Sequence, residues 1–398
     1  MFGLINRPIF MQTLFIDTPD RLREFCQAIS GSPWLAVDTE FLRERTYYPE
    51  FCLLQVANDR MAACIDPLAL KDLAPILDVL YDPKILKVFH AGRQDLEIFF
   101  QLRGSLPLPL FDTQLAAPLL GYQEQIGYAG LVAELLGITL SKAHARTDWS
   151  RRPLSPEQLA YAADDVILLG QLYPVLHGQL ESLGRLDWLD DAFRALADPA
   201  IYRNDPENAW QRVSGIYKLT GKTLAVAQEL AIWREIVAKR DNLPRGWIFK
   251  DDTLLDLARL RPATPEQLGS LRGLGERTVK RSGGELCRLI ADAAAKPPIP
   301  LFRQPAPPRP TLEQEAVLDA LQAVVRLRAV QNRLNPSSVA SRKDLEWLLL
   351  EKTGGELREG WRHHLVGQEL EELLEGEGGI KFSRKTLQVE NLRRSQYR

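Results

Sequence analysis

Two kinds of apolar periodicity divide this chain. In the first half, short apolar runs bounded by turn residues read as strands at 14–16, 34–41, 52–57, 61–65 and 85–89. Between them the spacing changes to that of helices. Leu73, Ile76, Leu77 and Leu80 share one face of 72–81, and 94–102 continues in the same way. Thr18 is placed to cap a first helix with Pro19 at its first position, running to Ser30-Gly31. Asn58-Asp59 marks a tight turn between two strands. Residues 130–184 read as helices broken at Gly137 and around Pro153. Strands first, then mixed strands and helices, predict an α/β unit: a mixed sheet with helices on both faces.

From about residue 183 no strand pattern is evident. Amphipathic helices are predicted at 224–237, 253–260 and 278–294, then at 312–331, 342–350 and 360–374. The two sets are separated by Lys296-Pro297-Pro298-Ile299-Pro300 through Pro310, a composition expected of a semi-rigid linker. Each flanking unit has roughly 80 residues, a long first helix and a later glycine turn, which makes a loose internal pair.

A length of 398 residues predicts two or three domains. With 45% hydrophobic and 26% charged residues and a net charge of -2, the chain has a globular composition without an overall basic field. Basic character toward nucleic acid would have to be local. Four cysteines without CxxC spacing argue against a disulfide framework and a cysteine zinc site, and lead us to expect a reducing, cytoplasmic setting. Residues 1–10 lack a signal-peptide apolar core. No run approaches the roughly 20 apolar residues of a membrane span, so no membrane partner is expected.

The chemistry begins at Asp38-Thr39-Glu40, directly after the apolar run Trp34-Leu35-Ala36-Val37. Side chains at i and i+2 of a strand share a face, so Asp38 and Glu40 project together. Two carboxylates that close repel unless they share a proton or hold a cation. Asp95 follows the strand at 85–89 and opens a helix, where it could line a site or only favour the helix dipole. Ser155-Pro156-Glu157-Gln158 is a capping-box signature, and its helix contains Tyr161-Ala162-Ala163-Asp164-Asp165. Tyr161 and Asp165, four apart, share a face, and Asp164 points about 100° away. Taken alone, Tyr161 reads as half-buried core and the two acids as solvated.

Together, Asp38, Glu40, Asp95, Tyr161 and Asp165 resemble, in order, the three exonuclease motifs of the DEDD superfamily, and the tyrosine spacing is that of its DEDDy branch. Ala36-Val37-Asp38-Thr39-Glu40-Phe41, His90-Ala91-Gly92-Arg93-Gln94-Asp95, Phe111-Asp112-Thr113, Thr147-Asp148-Trp149-Ser150-Arg151-Arg152-Pro153-Leu154 and Tyr161-Ala162-Ala163-Asp164-Asp165-Val166 resemble bacterial ribonuclease D. The second half is similar to the helicase-and-RNase-D C-terminal (HRDC) domain, present twice in that family.

This resemblance implies an RNase H-like exonuclease domain over residues 1–205, a first all-α HRDC-type domain over 206–295, a linker over 296–310 and a second HRDC-like domain over 311–398. It implies a 3′-to-5′ exoribonuclease that trims RNA with a free 3′ end, transfer RNA precursors among them, and releases nucleoside 5′-monophosphates. Such hydrolysis needs charge neutralised on the attacking and leaving oxygens, which two Mg²⁺ or Mn²⁺ ions do at a spacing of roughly 3.5–4 Å. Hard cations prefer carboxylate oxygen. By similarity Asp38 bridges both ions, Glu40 and Asp165 complete the site of the ion that activates water, Asp95 holds the other, and Tyr161 orients the water.

Other residues have two readings each. His90 could meet substrate or be a hydrogen-bonded structural histidine, and Asp112 reads as a helix cap near the site. Arg151 and Arg152 could touch phosphates or be a solvated pair. Lys280 and Arg281, after the turn Gly273-Leu274-Gly275, could bind RNA or line a solvated face. His363-His364 reads as surface. A DNA 3′-exonuclease and a catalytically silent nucleic-acid scaffold are the rival functions, because carboxylates do not distinguish ribose from deoxyribose. Without a heptad seam, a monomer is expected.

Overall fold

The computed structural model describes residues 12–140, 147–300, 310–350, 355–384 and 386–391. The expectations for residues 1–10 and for the middle of the Pro-rich linker lie outside these. The first unit contains β1 (Gln12–Ile16), α1 (Pro19–Ile29), β2 (Trp34–Leu42), β3 (Glu50–Ala57), β4 (Met61–Ile65), α2 (Ala74–Leu80), β5 (Leu86–Phe89), α3 (Arg93–Arg103), β6 (Leu110–Asp112), α4 (Thr113–Ala116), α5 (Tyr128–Leu136) and α6 (Pro156–Ser182).

The six strands form one mixed sheet in the order β1-β4-β3-β2-β5-β6. β3 runs antiparallel to both β2 and β4, whereas β1 with β4, β2 with β5 and β5 with β6 are parallel. Alternation assigns the faces. Leu35, Val37, Leu54, Val56, Ala63 and Ile65 join Leu22, Phe25, Ile76, Leu96 and Phe99 from α1, α2 and α3 in one core. The opposite face carries Ala36, Asp38 and Glu40 of β2 and packs against α6. Ser155 and Gln158 close the predicted capping box at the start of α6, with Gln158 N–H donating to Ser155 Oγ at 3.2 Å and Ser155 N–H to Gln158 Oε1 at 2.7 Å. Gly170 lets α6 lie close to the sheet, since a Cβ there would sit 3.1 Å from Cη2 of Trp34.

Two expectations are corrected in this unit. β6 was not predicted, being three residues long with no visible alternation. α6, among the described residues, is by length and composition apolar enough to cross a membrane, contrary to the sequence reading. Its apolarity has another use here. Ala162, Ala163, Val166 and Leu169 face the sheet, and Leu168, Leu172 and Leu176 pack with Leu131 and Val132 of α5. Thr18 occupies the predicted cap position of α1, but its side chain makes no capping bond.

After α7 (Asp190–Leu196) comes the first helical unit, α8 (Gly221–Asp241), α9 (Arg245–Ile248), α10 (Asp251–Leu260), α11 (Pro265–Gly269) and α12 (Glu276–Ala295). Trp233 of α8 stacks on Phe249 with ring centroids 6.0 Å apart. The unit is fastened to the loop after β2. Tyr47 and Tyr48 each donate their N–H to Asn242 Oδ1 at 3.1 Å, and the Tyr47 hydroxyl donates to the buried Glu235 carboxylate. The linker starts pinned as well, because Gln228 exchanges two hydrogen bonds with the Ile299 backbone.

The second unit holds α13 (Leu312–Gln331), α14 (Pro336–Val339), α15 (Arg342–Leu349), α16 (Gly360–Arg362) and α17 (Gln368–Leu374), the last two joined by a π-helical turn. It ends in an antiparallel hairpin of β7 (Gly378–Phe382) and β8 (Leu387–Asn391). The all-α expectation is therefore corrected for this unit. Each strand is five residues long and largely solvated, so neither shows a buried stripe in the sequence. Trp361 stacks flat on Trp188, with centroids 4.4 Å apart and planes 1° from parallel. Arg185 donates to the carbonyls of Leu119 and Asn332, both at 2.6 Å, and so ties the two units together.

Candidate active site

The site lies where the ends of β2 and β5 meet α6. On β2, Asp38 and Glu40 project from the α6 face, as the strand period requires. Asp165 descends from α6 onto the same point. One carboxylate oxygen from each of Asp38, Glu40 and Asp165 lies within 4.8 Å of the other two. Asp95 is placed by the turn after β5, where Gly92 admits no side chain because its Cβ would fall 2.5 Å from Cβ of Phe89. Asp95 is buried and stands outside the group of three. Thr39, on the face opposite Asp38 and Glu40, donates its hydroxyl to Asp95 Oδ1 at 2.5 Å.

These carboxyls titrate abnormally. Burial, then the charges of Asp95, Asp165 and Glu40, push Asp38 well above the carboxylate range. Burial, then Asp165 and Asp95, push Glu40 up to about 8. Burial raises Asp95 to about 6, and burial with Asp164 raises Asp165 to about 7. Mutually repelling carboxylates in a poorly solvated cluster are a donor set suited to a hard divalent cation, which removes the repulsion that raises these values. The residues thus fit divalent cations.

An open cavity of about 240 Å³ gives access and is lined by Asp38, Thr39, Glu40, His90, Tyr128, Tyr161, Asp165 and Leu169. Tyr161 stacks on Trp149 at 6.3 Å, one helical turn before Asp165. Burial, then Asp165, Glu40 and Asp38, push its phenol up to about 12. Asp164 leaves this cavity and lines another with Phe15, Cys64 and Ala160.

Comparison with known proteins bears on this arrangement. The family model described as 3′-5′ exonuclease matches residues 14–181, and the HRDC domain model matches residues 223–290. Ribonuclease D of Sphingobium indicum is 43% identical over 362 residues, covering 89% of this chain and 92% of that protein. Ribonuclease D of Acidiphilium cryptum is 38% identical over 391 residues, covering 97% and 99%. The chain belongs to the ribonuclease D family. Its fold agrees with the crystal structure of Escherichia coli RNase D, an exoribonuclease involved in structured RNA processing, with a TM-score of 0.77, 32% identity and coverage of 92% and 99%. Family membership makes this chain a hydrolytic 3′-5′ exoribonuclease with an RNase H-like catalytic domain.

The remaining candidates separate by their partners. All five N–H donors of the Arg152 guanidinium are engaged, by Asp66, Trp149, Arg151 and Cys52. The expectation that Arg152 contacts phosphate is corrected, because it has no donor left. His90 faces the cavity, but its ring nitrogens are committed to Thr113 Oγ1 at 2.9 Å and the Ile126 carbonyl at 3.1 Å. Asp112 caps α4, accepting from Gln114 and Leu115 and also from Ala91 and Gly92. Arg151 is exposed beside Asp148 at 3.0 Å. Lys280 pairs with Glu276 at 3.7 Å and Arg281 with Asp241 at 2.9 Å. His363 approaches Glu371 at 3.4 Å and His364 bonds the Gly360 carbonyl, and neither belongs to a metal-ligand group among the described residues.

Sequence reasoning missed Tyr128. It lines the cavity from α5, donates its hydroxyl to the Asp165 carbonyl at 2.5 Å and sets its ring edge-on to His90 at 5.4 Å. A tyrosine opening a helix after Gly127 carries no local signal of this.

Proposed function

We propose that this chain shortens RNA from a free 3′ end using two divalent cations, Mg²⁺ or Mn²⁺, and releases nucleoside 5′-monophosphates, with structured precursors such as transfer RNA as substrates. The observation that carries this reading is the convergence of Asp38, Glu40 and Asp165 beside Tyr161 in one open cavity. Asp38, Glu40 and Asp165 would hold cation, with Asp95 as a fourth carboxylate fixed by Thr39. When bound, such cations neutralise developing charge on the phosphodiester and acidify water. Tyr161 stays protonated at neutral pH, so it positions water by hydrogen bonding rather than by removing its proton. The open mouth suits a single-stranded end entering from solvent.

We take residues 206–295 and 311–398 as paired HRDC-type units around the linker at 296–310, the second elaborated by its hairpin, and the chain as a cytoplasmic monomer. Four free, buried cysteines support a reducing setting. Arg151, Lys280 and Arg281 are the exposed basic residues we assign to RNA contact. The test is a 5′-labelled RNA hairpin with a 3′ single-stranded tail, beside a matched DNA strand, in Mn²⁺, in EDTA, and with Asp38→Asn. A ladder shortening from the RNA 3′ end, absent in EDTA and in the variant, is expected. Intact RNA with shortened DNA would replace the reading with a DNA exonuclease, and no cleavage by folded protein would leave a scaffold.

A further inference from the structure

Gln55 sits in the middle of β3 with no exposed surface, and neither its Oε1 nor its Nε2 has a hydrogen-bond partner among the described residues. A carboxamide left so is costly to bury, and folds normally pair such groups or replace them with apolar ones. Its neighbours Leu53 and Leu54 show that the strand readily takes apolar residues at this depth.

The sheet register says what the amide faces. Gln55 stands directly opposite Asp38 on β2 and opposite Cys64 on β4. Opposed residues of antiparallel strands share a face, with Cβ atoms about 4.5–5.5 Å apart. That face is covered by α6, whose Leu159 carbonyl receives the Cys64 thiol at 3.8 Å. After burial, Asp165 and Asp38 are what push the Cys64 thiol up, so the field of the catalytic carboxylates reaches across the Gln55 position to β4. Gln55 thus lies beside the carboxylate that the cavity presents to a cation, on the side away from solvent.

We infer that Gln55 is a positioning residue for the reaction: its carboxamide N–H, unpartnered among the described residues and directly across the strand pair from Asp38, would close onto the Asp38 carboxylate when a divalent cation is bound and orient that carboxylate toward it. The inference rests on the cation-dependent reading of the site given above. A carboxylate offers lone pairs on two sides, and a donor behind it fixes which oxygen faces forward. The amide is the suitable donor, since it gives an N–H without adding charge to a site already crowded with acids.

The test compares Mn²⁺ binding, measured calorimetrically, between the natural full-length chain and Gln55→Met, with the melting temperature in EDTA and steady-state RNA cleavage alongside. The variant should bind Mn²⁺ about 10–100-fold more weakly, the range for partners behind a ligand. Its kcat should fall with KM for RNA unchanged, and its metal-free melting temperature should equal or exceed that of the natural chain. Gln55→Leu repeats the comparison with the shape of the neighbouring residues. Equal Mn²⁺ affinity in either folded variant would overturn this inference alone. A melting temperature well below the natural chain's in both variants would assign a structural amide and overturn it too. A natural chain that binds no Mn²⁺ would overturn both this inference and the reading of the site.

Discussion

Asp164 and Asp165 are adjacent acids with different fates, and the helical period decides between them. On the proposed cation-dependent reading, Asp165→Asn should lower turnover by about 100-fold or more, since loss of a ligand would cost at least as much as loss of the group behind one. Asp164→Asn should keep most of it, and rates at saturating Mn²⁺ measure both. The reverse order would reassign the site. The same scale distinguishes Arg152 from Arg151. Arg152 forms a two-point pair with Asp66, whose side chain is 4% exposed, so removing the guanidinium leaves a buried charge. Arg152→Ala should destabilise the chain by about 3 kcal/mol in denaturant titration. Arg151→Ala should leave stability within about 0.5 kcal/mol. The sequence could not separate them, because adjacent arginines look alike until the fold brings Asp66 to one. The strand alternation of Asp38 and Glu40 and the helical spacing of Tyr161 and Asp165 were legible because each is local. Thr39, Tyr128 and Gln55 owe their places to pairings across the sheet and from α5, which no window of sequence contains.

Among the elements, α6 carries the greatest share. It supplies Asp165 and Tyr161, covers β2 through Gly170, and carries Leu180 into the core shared with the second helical unit. Gly170→Val would force the helix from Trp34 and should cost about 2 kcal/mol by overpacking. It should also lower kcat more than it raises KM, with a shift in tryptophan emission reporting the displacement. Unchanged kcat in the folded variant would mean that the helix tolerates the movement. The long helices were readable from periodicity and from the Ser155 box. The three-residue β6 was not, because three buried residues are too few to show a pattern, and the hairpin β7–β8 was not, since its short solvated strands leave no apolar stripe to read.

At the scale of the whole molecule, the acid cluster makes stability depend on pH. Asp95, Asp165 and Glu40 hold protons to about 6, about 7 and about 8 in the folded chain. Unfolded carboxyls release theirs near pH ~4. A group whose folded pKa is raised stabilises the fold below its unfolded value, and that contribution is lost as pH rises through the folded one. The metal-free chain should therefore lose melting temperature between pH 6 and pH 8. His90, which burial lowers, acts the other way near its titration, but as one group against three. Mn²⁺ should restore the loss, and restore more at pH 8 than at pH 6. Scanning calorimetry in EDTA and in Mn²⁺ checks both, and a flat profile in EDTA would contradict the electrostatic account. Truncation after residue 205 is a poor probe of the helical units, because it would strip Tyr47 of its partner Glu235 and Trp188 of its partner Trp361.

The last of the three clustered carboxylates to be synthesised is Asp165, on a helix that must pack across β2, β3 and β4 before it reaches Asp38 and Glu40. A ribosome making this chain therefore extrudes the first two acids long before the third. During that interval the emerging polypeptide lacks the complete carboxylate cluster. The order of the acids along the chain thus leaves the cluster incomplete until nearly all of the exonuclease domain has been synthesised.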